Sequence, residues 1–376
     1  MRFRDLEAQY LHLKPEIDRE ISAVLDEAAF ILGRQVGELE KKLAAYVGAR
    51  HCVSCANGTD ALQLVLMAWG IGEGDAVFTS DFTFFASAGT ASIVGATPVL
   101  VDIDPRTFNL CPTALEEAIV RTVREGRLRP RVIMPVDLFG LPADYPRIDA
   151  IAEKYGLKIL EDGAQGFGGH IRGRRACSFG DAATTSFFPS KPLGCYGDGG
   201  AIFTDDGALA EVLRSLRAQG RSPEDKYDNR GIGINSRLDT LQAAILLAKL
   251  RALEKFELDA VNATAARYGE RLRGAVVTPY IPEGYYSSWA QYTILLETRE
   301  QRDRLKARLA AVGIPTMIYY PRGLHQQTAY AHMRFSDEWY PHTLAAVGRV
   351  LSLPMHPYLA KEDVDMVCEA ILENLA

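Results

Sequence analysis

Short apolar runs alternate with amphipathic stretches from about residue 50 to residue 205. We predict strands in seven of these runs, at 51–55, 76–79, 98–102, 132–136, 158–161, 184–188 and 201–204. Apolar residues at helical spacing occupy several of the intervals, at 59–69, 114–123 and 149–155. Continuously apolar strands separated by helices predict an α/β fold with a mainly parallel seven-stranded sheet covered by helices on both faces.

The pattern changes after residue 238. A long Ala/Leu-rich helix is predicted over 238–253, and beyond about residue 259 an α/β pattern restarts, with strands at 292–296 and 316–319 and helices at 301–312 and from residue 361 onward. We therefore expect a large domain over 16–255 and a smaller C-terminal α/β domain over 256–376. Pro15 is expected to precede the first long helix, with residues 1–15 packing near the smaller domain.

Composition and charge narrow the class of protein. The chain of 376 residues is 48% hydrophobic and 24% charged, as in ordinary globular proteins. Its net charge of −6 provides no basic stripe for nucleic acid. The first residues lack the apolar core of a signal peptide, and the longest clean apolar run, 243–248, is too short to span a membrane. Six scattered cysteines are typical of reduced thiols, so we expect a cytoplasmic protein with neither nucleic-acid nor membrane partners.

The candidate chemistry begins at Lys191. This lysine follows Phe187, Phe188 and Pro189 and precedes a glycine-rich segment over 194–200. Apolar and small-residue surroundings would desolvate its amine and lower the pKa. A lysine in such a setting can act as a Schiff-base nucleophile. The glycine-rich segment is not a dinucleotide fingerprint, because no strand–GxGxxG–helix context surrounds it.

A carboxylate, Asp162, follows the predicted strand 158–161. A buried carboxylate is costly unless it meets a cation or a strong donor, and the protonated ring nitrogen of a pyridine cofactor is such a donor. The alternative is that Asp162 caps the following turn. One βα-like unit separates Asp162 from Lys191, so both groups are expected at the same edge of the sheet.

A phosphate cup is suggested by Gly58 and Thr59 at the start of the predicted helix 59–69. Glycine at a strand-to-helix turn lets backbone amides approach a ligand, and a helix N-terminus favours an anion. Thr59 as a simple N-cap is the alternative. Ser186 offers a second hydroxyl for the same anion. A lysine, a carboxylate and a phosphate cup together match the needs of pyridoxal 5′-phosphate.

Other candidate groups carry weaker signals. Phe84 follows a strand end, where an aromatic ring can stack on a cofactor or simply pack in the core. Cys52 and Cys55 have redox or zinc spacing but no second pair, so two small buried core residues are the favoured interpretation. The seven histidines form no close pair of metal-ligand type. No metal is predicted.

These residues together resemble the sugar-nucleotide aminotransferases, the StrS/DegT class of fold-type I pyridoxal-phosphate enzymes. The resemblance covers almost the whole chain and is most specific around Lys191 and in the segment 235–244. Within the class, segments 186–203 and 352–358 look most like aminotransferases that act on UDP-2-acetamido-2-deoxy-3-oxo-glucuronate. Those enzymes make 3-amino sugars for bacterial surface polysaccharide such as the O-antigen of lipopolysaccharide.

The resemblance implies a role for each matching residue toward the cofactor. Lys191 would form the Schiff base, and Asp162 would pair with the pyridinium nitrogen. Gln165 would lie near the phenolic oxygen, and Phe84 would be the stacking aromatic. The phosphate would be held by Gly58, Thr59, Ser186 and, from a second subunit, Asn235. That last role implies a homodimer with shared active sites.

The resemblance also implies residues that bind substrate. Arg237 is a candidate for the carboxylate of glutamate, the expected amino donor, or of the sugar acid. Many relatives read His-Tyr-Pro where this chain has Tyr319-Tyr320-Pro321. Substrate roles are therefore predicted for Tyr319, Tyr320 and His325 from their neighbourhood rather than from an identical motif.

Three rival functions are considered. A 4-keto sugar aminotransferase, using a dTDP- or UDP-sugar, would have the same cofactor motifs. A sugar dehydratase of this class would carry histidine in place of Lys191. A non-catalytic pyridoxal-binding regulator should need a DNA-binding module, and the sequence has no basic or helix-turn-helix extension.

Overall fold

The computed structural model describes residues 1–222, 224–225 and 227–375. Its strands are β1 (His51–Cys55), β2 (Asp75–Ser80), β3 (Thr97–Val101), β4 (Arg129–Met134), β5 (Lys158–Asp162), β6 (His170–Ile171), β7 (Arg174–Arg175), β8 (Ala182–Ser186), β9 (Gly200–Thr204), β10 (Tyr285–Tyr286), β11 (Tyr292–Leu295) and β12 (Val350–Leu353). Each of the seven predicted strands of the larger part corresponds to an observed one, and their ends agree within three residues.

The described helices alternate with these strands. They are α1 (Leu6–Glu27), α2 (Arg34–Val47), α3 (Gly58–Ala68), α4 (Ala86–Ile93), α5 (Pro112–Glu125), α6 (Tyr145–Tyr155), α7 (Gly207–Leu216), α8 (Thr240–Ala252), α9 (Leu258–Arg271), α10 (Arg299–Ala311), α11 (Pro341–Arg349) and α12 (Lys361–Leu375). Short 3₁₀ turns and one π-helical turn, Leu253–Glu257, complete the helical content. Among the described residues, no helix combines the length and apolar character needed to cross a membrane.

A seven-stranded sheet with the order β1-β9-β8-β5-β4-β2-β3 forms the centre of the larger part. Every strand runs in the same direction except β9, which pairs antiparallel with both of its neighbours. Helices α2 and α8 bury apolar residues on one face of β1, β8 and β9, and α3 and α7 do so on the other face. The predicted α/β class, with a mainly parallel sheet and helices on both faces, is confirmed.

Three predicted strands of the larger part end earlier than expected, the one at 98–102 by one residue and those at 132–136 and 184–188 by two. β8 stops at Ser186, where it pairs with Gly200, so Phe187 and Phe188 lie outside the sheet. The Phe187 ring is fully buried, whereas Phe188 is 51% exposed. An apolar run can therefore continue past the end of a strand because the following loop also packs into the core. The loop that carries Lys191 begins two residues earlier as a result.

The prediction that Pro15 precedes the first long helix is wrong. Helix α1 begins at Leu6, where Asp5 is the N-cap and accepts a hydrogen bond from the amide of Ala8. Pro15 lies inside this helix on its exposed side. Because proline has no amide hydrogen, the carbonyl of the exposed Leu11, one turn earlier, lacks its usual helical partner. Water can satisfy a carbonyl on the solvent side, so proline is tolerated there.

The C-terminal part has its own core. Buried apolar residues from α9, α10 and α12 pack around the antiparallel pair β11–β12. The strand predicted at 316–319 is reduced to a single bridge between Met317 and Ser352. The π-helical turn Leu253–Glu257 joins α8 to α9, close to the expected boundary at residues 255–256.

Candidate active site

The carboxyl ends of the parallel strands open into a cavity of about 940 Å³. Parallel strands place the loops that follow them at one edge of the sheet, where ligands bind in α/β folds. The loops after β1, β2, β5 and β8 therefore meet here. Nine residues predicted to form the site line this cavity: Gly58, Thr59, Phe84, Asp162, Gln165, Ser186, Lys191, Tyr319 and Tyr320.

Asp162 is the last residue of β5 and is 5% exposed. Its Oδ2 accepts a hydrogen bond from the Ser87 hydroxyl at 2.7 Å, and its Oδ1 accepts one from the Ala164 amide at 3.2 Å. Burial raises the pKa of Asp162 above its ordinary value, whereas the Ser87 hydrogen bond and the charge of Lys191 oppose that rise. The carboxyl group thus acts as a strong acceptor at the cavity wall. A cationic partner would stabilise its ionised form.

Lys191 lies in the loop between β8 and β9, where its amide donates to the carbonyl of Phe188 at 2.9 Å. Burial lowers the pKa of its amine to about 8, and Asp162 opposes this shift while Arg4 adds to it. An amine with this pKa is neutral far more often at neutral pH than an ordinary lysine. It can therefore act as a nucleophile or as a base.

The phosphate cup is formed by the start of α3 and the end of β8. Asn57 is the N-cap of α3, and its side chain accepts a hydrogen bond from the Asp60 amide at 2.8 Å. The alternative in which Thr59 caps the helix is therefore wrong, and its side chain lies on the cavity wall instead. A Cβ added at Gly58 would lie 2.7 Å from Ser186 Cβ. Glycine is thus required for α3 to approach β8 closely enough to place both residues around one anion.

Gln165 and Tyr320 form a second wall of the cavity. The Gln165 side chain accepts a hydrogen bond from the Phe139 amide at 2.7 Å and donates one to the Tyr320 hydroxyl at 3.1 Å. Both contacts fix the amide orientation. Burial raises the pKa of Tyr320, so its hydroxyl stays protonated at neutral pH. Phe84 lines the cavity with 58% of its surface exposed, so its ring is free to cover a planar ligand.

Three predicted residues lie outside the cavity of their own chain. Asn235 is exposed and Arg237 is partly exposed, and neither lines the cavity. His325 is nearly buried, and its Nδ1 lies 2.6 Å from an Asp81 carboxylate oxygen while its amide donates to the other oxygen at 2.8 Å. Asp81 follows β2, so this pair fastens the loop after Tyr320 to the larger part of the protein.

The residues of the cavity fit pyridoxal 5′-phosphate. A Lys191 amine with a lowered pKa suits the aldehyde, and the buried acceptor Asp162 suits the ring nitrogen. The helix N-terminus at Gly58, with its close contact to Ser186, suits the phosphate. The cavity volume lies within the range of roughly 300–1,000 Å³ that is typical of ligand sites.

Sequence reasoning missed several residues of this region, and three of them carry polar groups that bear on the site. Ser87 reaches Asp162 from α4, Arg4 donates to the Lys191 carbonyl at 2.8 Å, and Arg322 lines the cavity. Ser87 and Arg4 are separated from their partners by 75 and 187 residues, so no local pattern links them. Arg322 directly follows the Tyr-Tyr-Pro segment and could have been included on that ground.

The interpretation of Cys52 and Cys55 as buried core residues is confirmed. Both lie in β1 and are at most 3% exposed. Residues three apart in a strand point to opposite faces of the sheet, and the two thiols pack in different apolar clusters. Two thiols on opposite faces cannot bind one metal ion.

Several relatives are similar to this chain along nearly its entire length. The UDP-2-acetamido-2-deoxy-3-oxo-D-glucuronate aminotransferase of Pseudomonas aeruginosa is 46% identical over 372 residues, 99% of both chains. A pleiotropic regulatory protein of Geobacillus stearothermophilus is 44% identical, covering 98% of this chain and 97% of its own. The UDP-N-acetyl-3-dehydro-α-D-glucosamine 3-aminotransferase of Acidithiobacillus ferrooxidans is 42% identical, covering 99% and 97%.

Solved structures of similar proteins share the fold. An aminotransferase from Brucella abortus superposes with a TM-score of 0.96 at 51% identity, covering 99% of this chain and 98% of its own. NtdA from Bacillus subtilis, solved with its cofactor PMP, superposes with a TM-score of 0.87 at 30% identity, covering 97% and 82%. The family model of the DegT/DnrJ/EryC1/StrS aminotransferases matches residues 12–372. The chain therefore belongs to the DegT/DnrJ/EryC1/StrS family of pyridoxal-phosphate-dependent sugar aminotransferases.

Proposed function

We propose that this protein transfers an amino group from glutamate to the 3-keto position of UDP-2-acetamido-2-deoxy-3-oxo-glucuronate. The product would be a 3-amino sugar nucleotide for surface polysaccharide such as O-antigen. The observation that carries the transaminase part is the placement of Lys191 and Asp162 on the wall of one cavity. Likeness to the Pseudomonas and Acidithiobacillus enzymes supports the 3-keto sugar.

Lys191 is proposed as the group that moves protons during the reaction. Pyridoxal 5′-phosphate, when bound, supplies an electron sink for the charge left on the α-carbon of the donor. With a pKa of about 8, the Lys191 amine takes the α-proton through its Nζ and returns a proton on the other side of the reaction. At pH 7 roughly a tenth of this amine is neutral, about a hundredfold or more above an ordinary lysine.

The remaining cofactor contacts are proposed for side chains already described. Asp162 would hold the protonated ring nitrogen, Gln165 would face the ring oxygen, and Phe84 would cover the ring. The phosphate would lie among Gly58, Thr59 and Ser186. A cation at the ring nitrogen would stabilise the ionised Asp162 carboxylate, which its burial otherwise disfavours.

Substrate contacts are proposed for residues at the rim of the cavity. Tyr319 and Tyr320 line it and offer hydroxyl groups to a sugar. Because His325 is held by Asp81, its proposed role is indirect, through the position of the loop that carries both tyrosines. Arg237 is the proposed partner for a substrate carboxylate.

We infer that the working protein is a homodimer with shared sites. Asn235 and Arg237 lie away from the cavity of their own chain, which suits residues that complete the cavity of a second copy.

We also retain the division into a cofactor-binding domain over 16–255 and a small domain over 256–376. A cytoplasmic location is supported by the cysteines, all of which are free thiols in the structure.

The donor and the acceptor can be tested separately with the holoenzyme. Glutamate added alone should convert the bound cofactor to its amine form, with loss of the aldehyde-form absorbance. Candidate keto-sugar nucleotides added next should restore that absorbance only if they are acceptors. Recovery with the UDP-3-keto uronate, and not with a 4-keto sugar, supports the proposal. Recovery with a dTDP- or UDP-4-keto sugar alone would establish the alternative 4-keto activity.

Lys191→Ala is expected to bind the cofactor and to lose turnover by about a thousandfold or more, because Lys191 is the only lysine among the described residues that line the cavity. Spectroscopic titration with cofactor and steady-state rates measure the two effects. Lys41→Ala, an exposed change on α2, is the matched control. Appreciable turnover in the Lys191 variant would contradict the assignment. A protein that binds cofactor but never reacts with glutamate would instead favour the regulator suggested by the Geobacillus relative.

A further inference from the structure

The N-terminal segment before α1 lies against the loop that carries Lys191. Arg4 Nη2 donates to the main-chain carbonyl of Lys191 at 2.8 Å. On one side of Arg4, the Phe3 carbonyl accepts from the Met355 amide at 3.3 Å, and the Phe3 ring packs 6.2 Å from the Tyr319 ring. On the other side, Asp5 caps α1. Contacts on both sides therefore hold Arg4 in place.

The charge of Arg4 is balanced by Glu257, which lies in the turn between α8 and α9. Burial lowers the pKa of Arg4 to about 10, and Glu257 opposes that shift, so the guanidinium stays charged at neutral pH. Glu257 is 2% exposed and accepts hydrogen bonds from Gln9 at 2.8 Å and from the Tyr358 hydroxyl at 2.7 Å. These two hydrogen bonds hold the Glu257 carboxylate in position.

Other titratable groups around Arg4 respond to the same charge. Burial lowers the pKa of Lys249 to about 8 and that of His356 to about 4, and Arg4 adds to both shifts. The Lys249 amine lies 4.9 Å from the centre of the Tyr196 ring. Burial raises the pKa of Tyr319, and Arg4 opposes that rise. At Lys191 itself, Arg4 acts together with burial and against Asp162.

We propose that Arg4 is a positioning residue for the reactive lysine, holding the main chain at Lys191 while its permanent charge favours the neutral form of the Lys191 amine. The role rests on the proposed function of Lys191. Arg4 reaches the site from the N-terminal segment, 187 residues away from Lys191 along the chain. Arginine suits this role because its rigid planar fork can hold a main-chain carbonyl in a fixed geometry while carrying a permanent charge.

The test is competitive labelling of the apoenzyme with acetic anhydride from pH 6 to pH 10. Mass spectrometry of the Lys191 peptide, normalised to the exposed Lys41, reports the neutral fraction of the amine at each pH. Arg4→Gln can still donate a hydrogen bond but carries no charge. Its Lys191 labelling at pH 7 should fall about three- to tenfold, since losing a nearby positive charge stabilises the protonated amine. An unchanged labelling profile would overturn the proposal.

Two further variants separate charge, geometry and general stability. Arg2→Gln removes an exposed arginine two residues away and should leave labelling unchanged; an equal shift in this control would also overturn the proposal. Arg4→Lys keeps the charge but loses the fork, so labelling should stay within about twofold of wild type while kcat falls more than KM changes. If Arg4→Gln does not fold, the Arg4→Lys variant serves as the test. A wild-type kcat in Arg4→Lys would contradict the positioning role of Arg4.

This experiment is independent of the substrate assignment. Labelling uses neither glutamate nor a sugar nucleotide. Failure of glutamate to react with the holoenzyme would remove the proposed function and leave the labelling result intact. An unchanged Arg4→Gln profile would remove the role of Arg4 and leave the transaminase intact.

Discussion

At the scale of single residues, the chemistry of the cavity depends on two groups whose ionisation is governed by burial. Burial lowers the pKa of Lys191 and raises that of Asp162, because each charged form loses water. Burial therefore favours the neutral form of both groups. The opposite charges of the two residues partly stabilise each other's ionised form. Ser87 adds a hydrogen bond that favours the ionised carboxylate.

Ser87→Ala should raise the pKa of Asp162 further, because the hydroxyl that stabilises its ionised form is lost. If the reaction needs ionised Asp162, activity is present above that pKa and lost below it, so the acidic limb of kcat/KM moves to higher pH. On the acidic limb, at pH values below that pKa, we expect about a tenfold fall in kcat/KM, which corresponds to one hydrogen bond to a charged group.

The control for this prediction is Ser92→Ala on the same helix, α4. The Ser92 hydroxyl lies 3.3 Å from the Tyr330 hydroxyl and does not contact Asp162. Its pH profile should match the wild type. An acidic limb that stays in place in Ser87→Ala, or that moves equally in Ser92→Ala, would contradict the role given to Ser87.

At the scale of elements, the site depends on how closely α3 approaches β8. The start of α3 lines the cavity, so the positive end of its helix dipole lies at the site. Gly58 permits this approach because any Cβ there would meet Ser186. The cup is thus a property of two elements and their contact rather than of either sequence segment alone.

Gly58→Ala should weaken binding of the cofactor to the apoenzyme by about tenfold or more and destabilise the protein by about 1–3 kcal/mol, since the added methyl group overpacks the contact. Absorbance titration with pyridoxal 5′-phosphate and thermal unfolding measure the two effects. Gly37→Ala on α2 is the matched control, because a Cβ there meets nothing within 4 Å. It should leave binding unchanged and stability equal or higher by up to ~1 kcal/mol. Wild-type affinity for the cofactor in Gly58→Ala would contradict the proposed phosphate site at Gly58.

At the scale of the whole molecule, the cavity draws on segments from both ends of the chain. Arg4 lies before α1, and Tyr319 and Tyr320 come from the C-terminal part, whereas Asp162 ends β5 and Lys191 lies in the loop between β8 and β9. Asn235 and Arg237 lie on the surface of the same chain. A second copy is the proposed source of these two groups in each site.

Mixed dimers test this sharing. Lys191→Ala and Asn235→Ala chains, each nearly inactive alone, should regain activity when unfolded together and refolded in equal amounts. Each hybrid would have one site with both defects and one intact site. Random pairing makes half of the dimers hybrid, so about a quarter of the wild-type sites should return. Refolding each variant by itself is the control. Absence of recovery in the mixture, with hybrid dimers demonstrated, would show that each site is built from one chain.

Sequence patterns predicted the sheet because each strand is a local run of apolar residues. They also placed the Lys191 loop and Asp162 at strand ends, since the parallel direction of the strands brings those ends together. The end of β8 was misplaced because Phe187 stays apolar after leaving the sheet. The start of α1 was misplaced because an exposed proline costs little where water can satisfy the freed carbonyl.

The sequence by itself determined the fold class, the cofactor and the family, because these depend on local periodicity and on motifs whose residues lie close together in the chain. Only the tertiary structure decided which groups tune those residues. Ser87 at Asp162 and Arg4 at Lys191 act through hydrogen bonds between distant segments, and the fit of Gly58 against Ser186 depends on the packing of a helix on a strand. The physical reason is that desolvation, charge and steric contact depend on distance in space, which chain spacing does not specify.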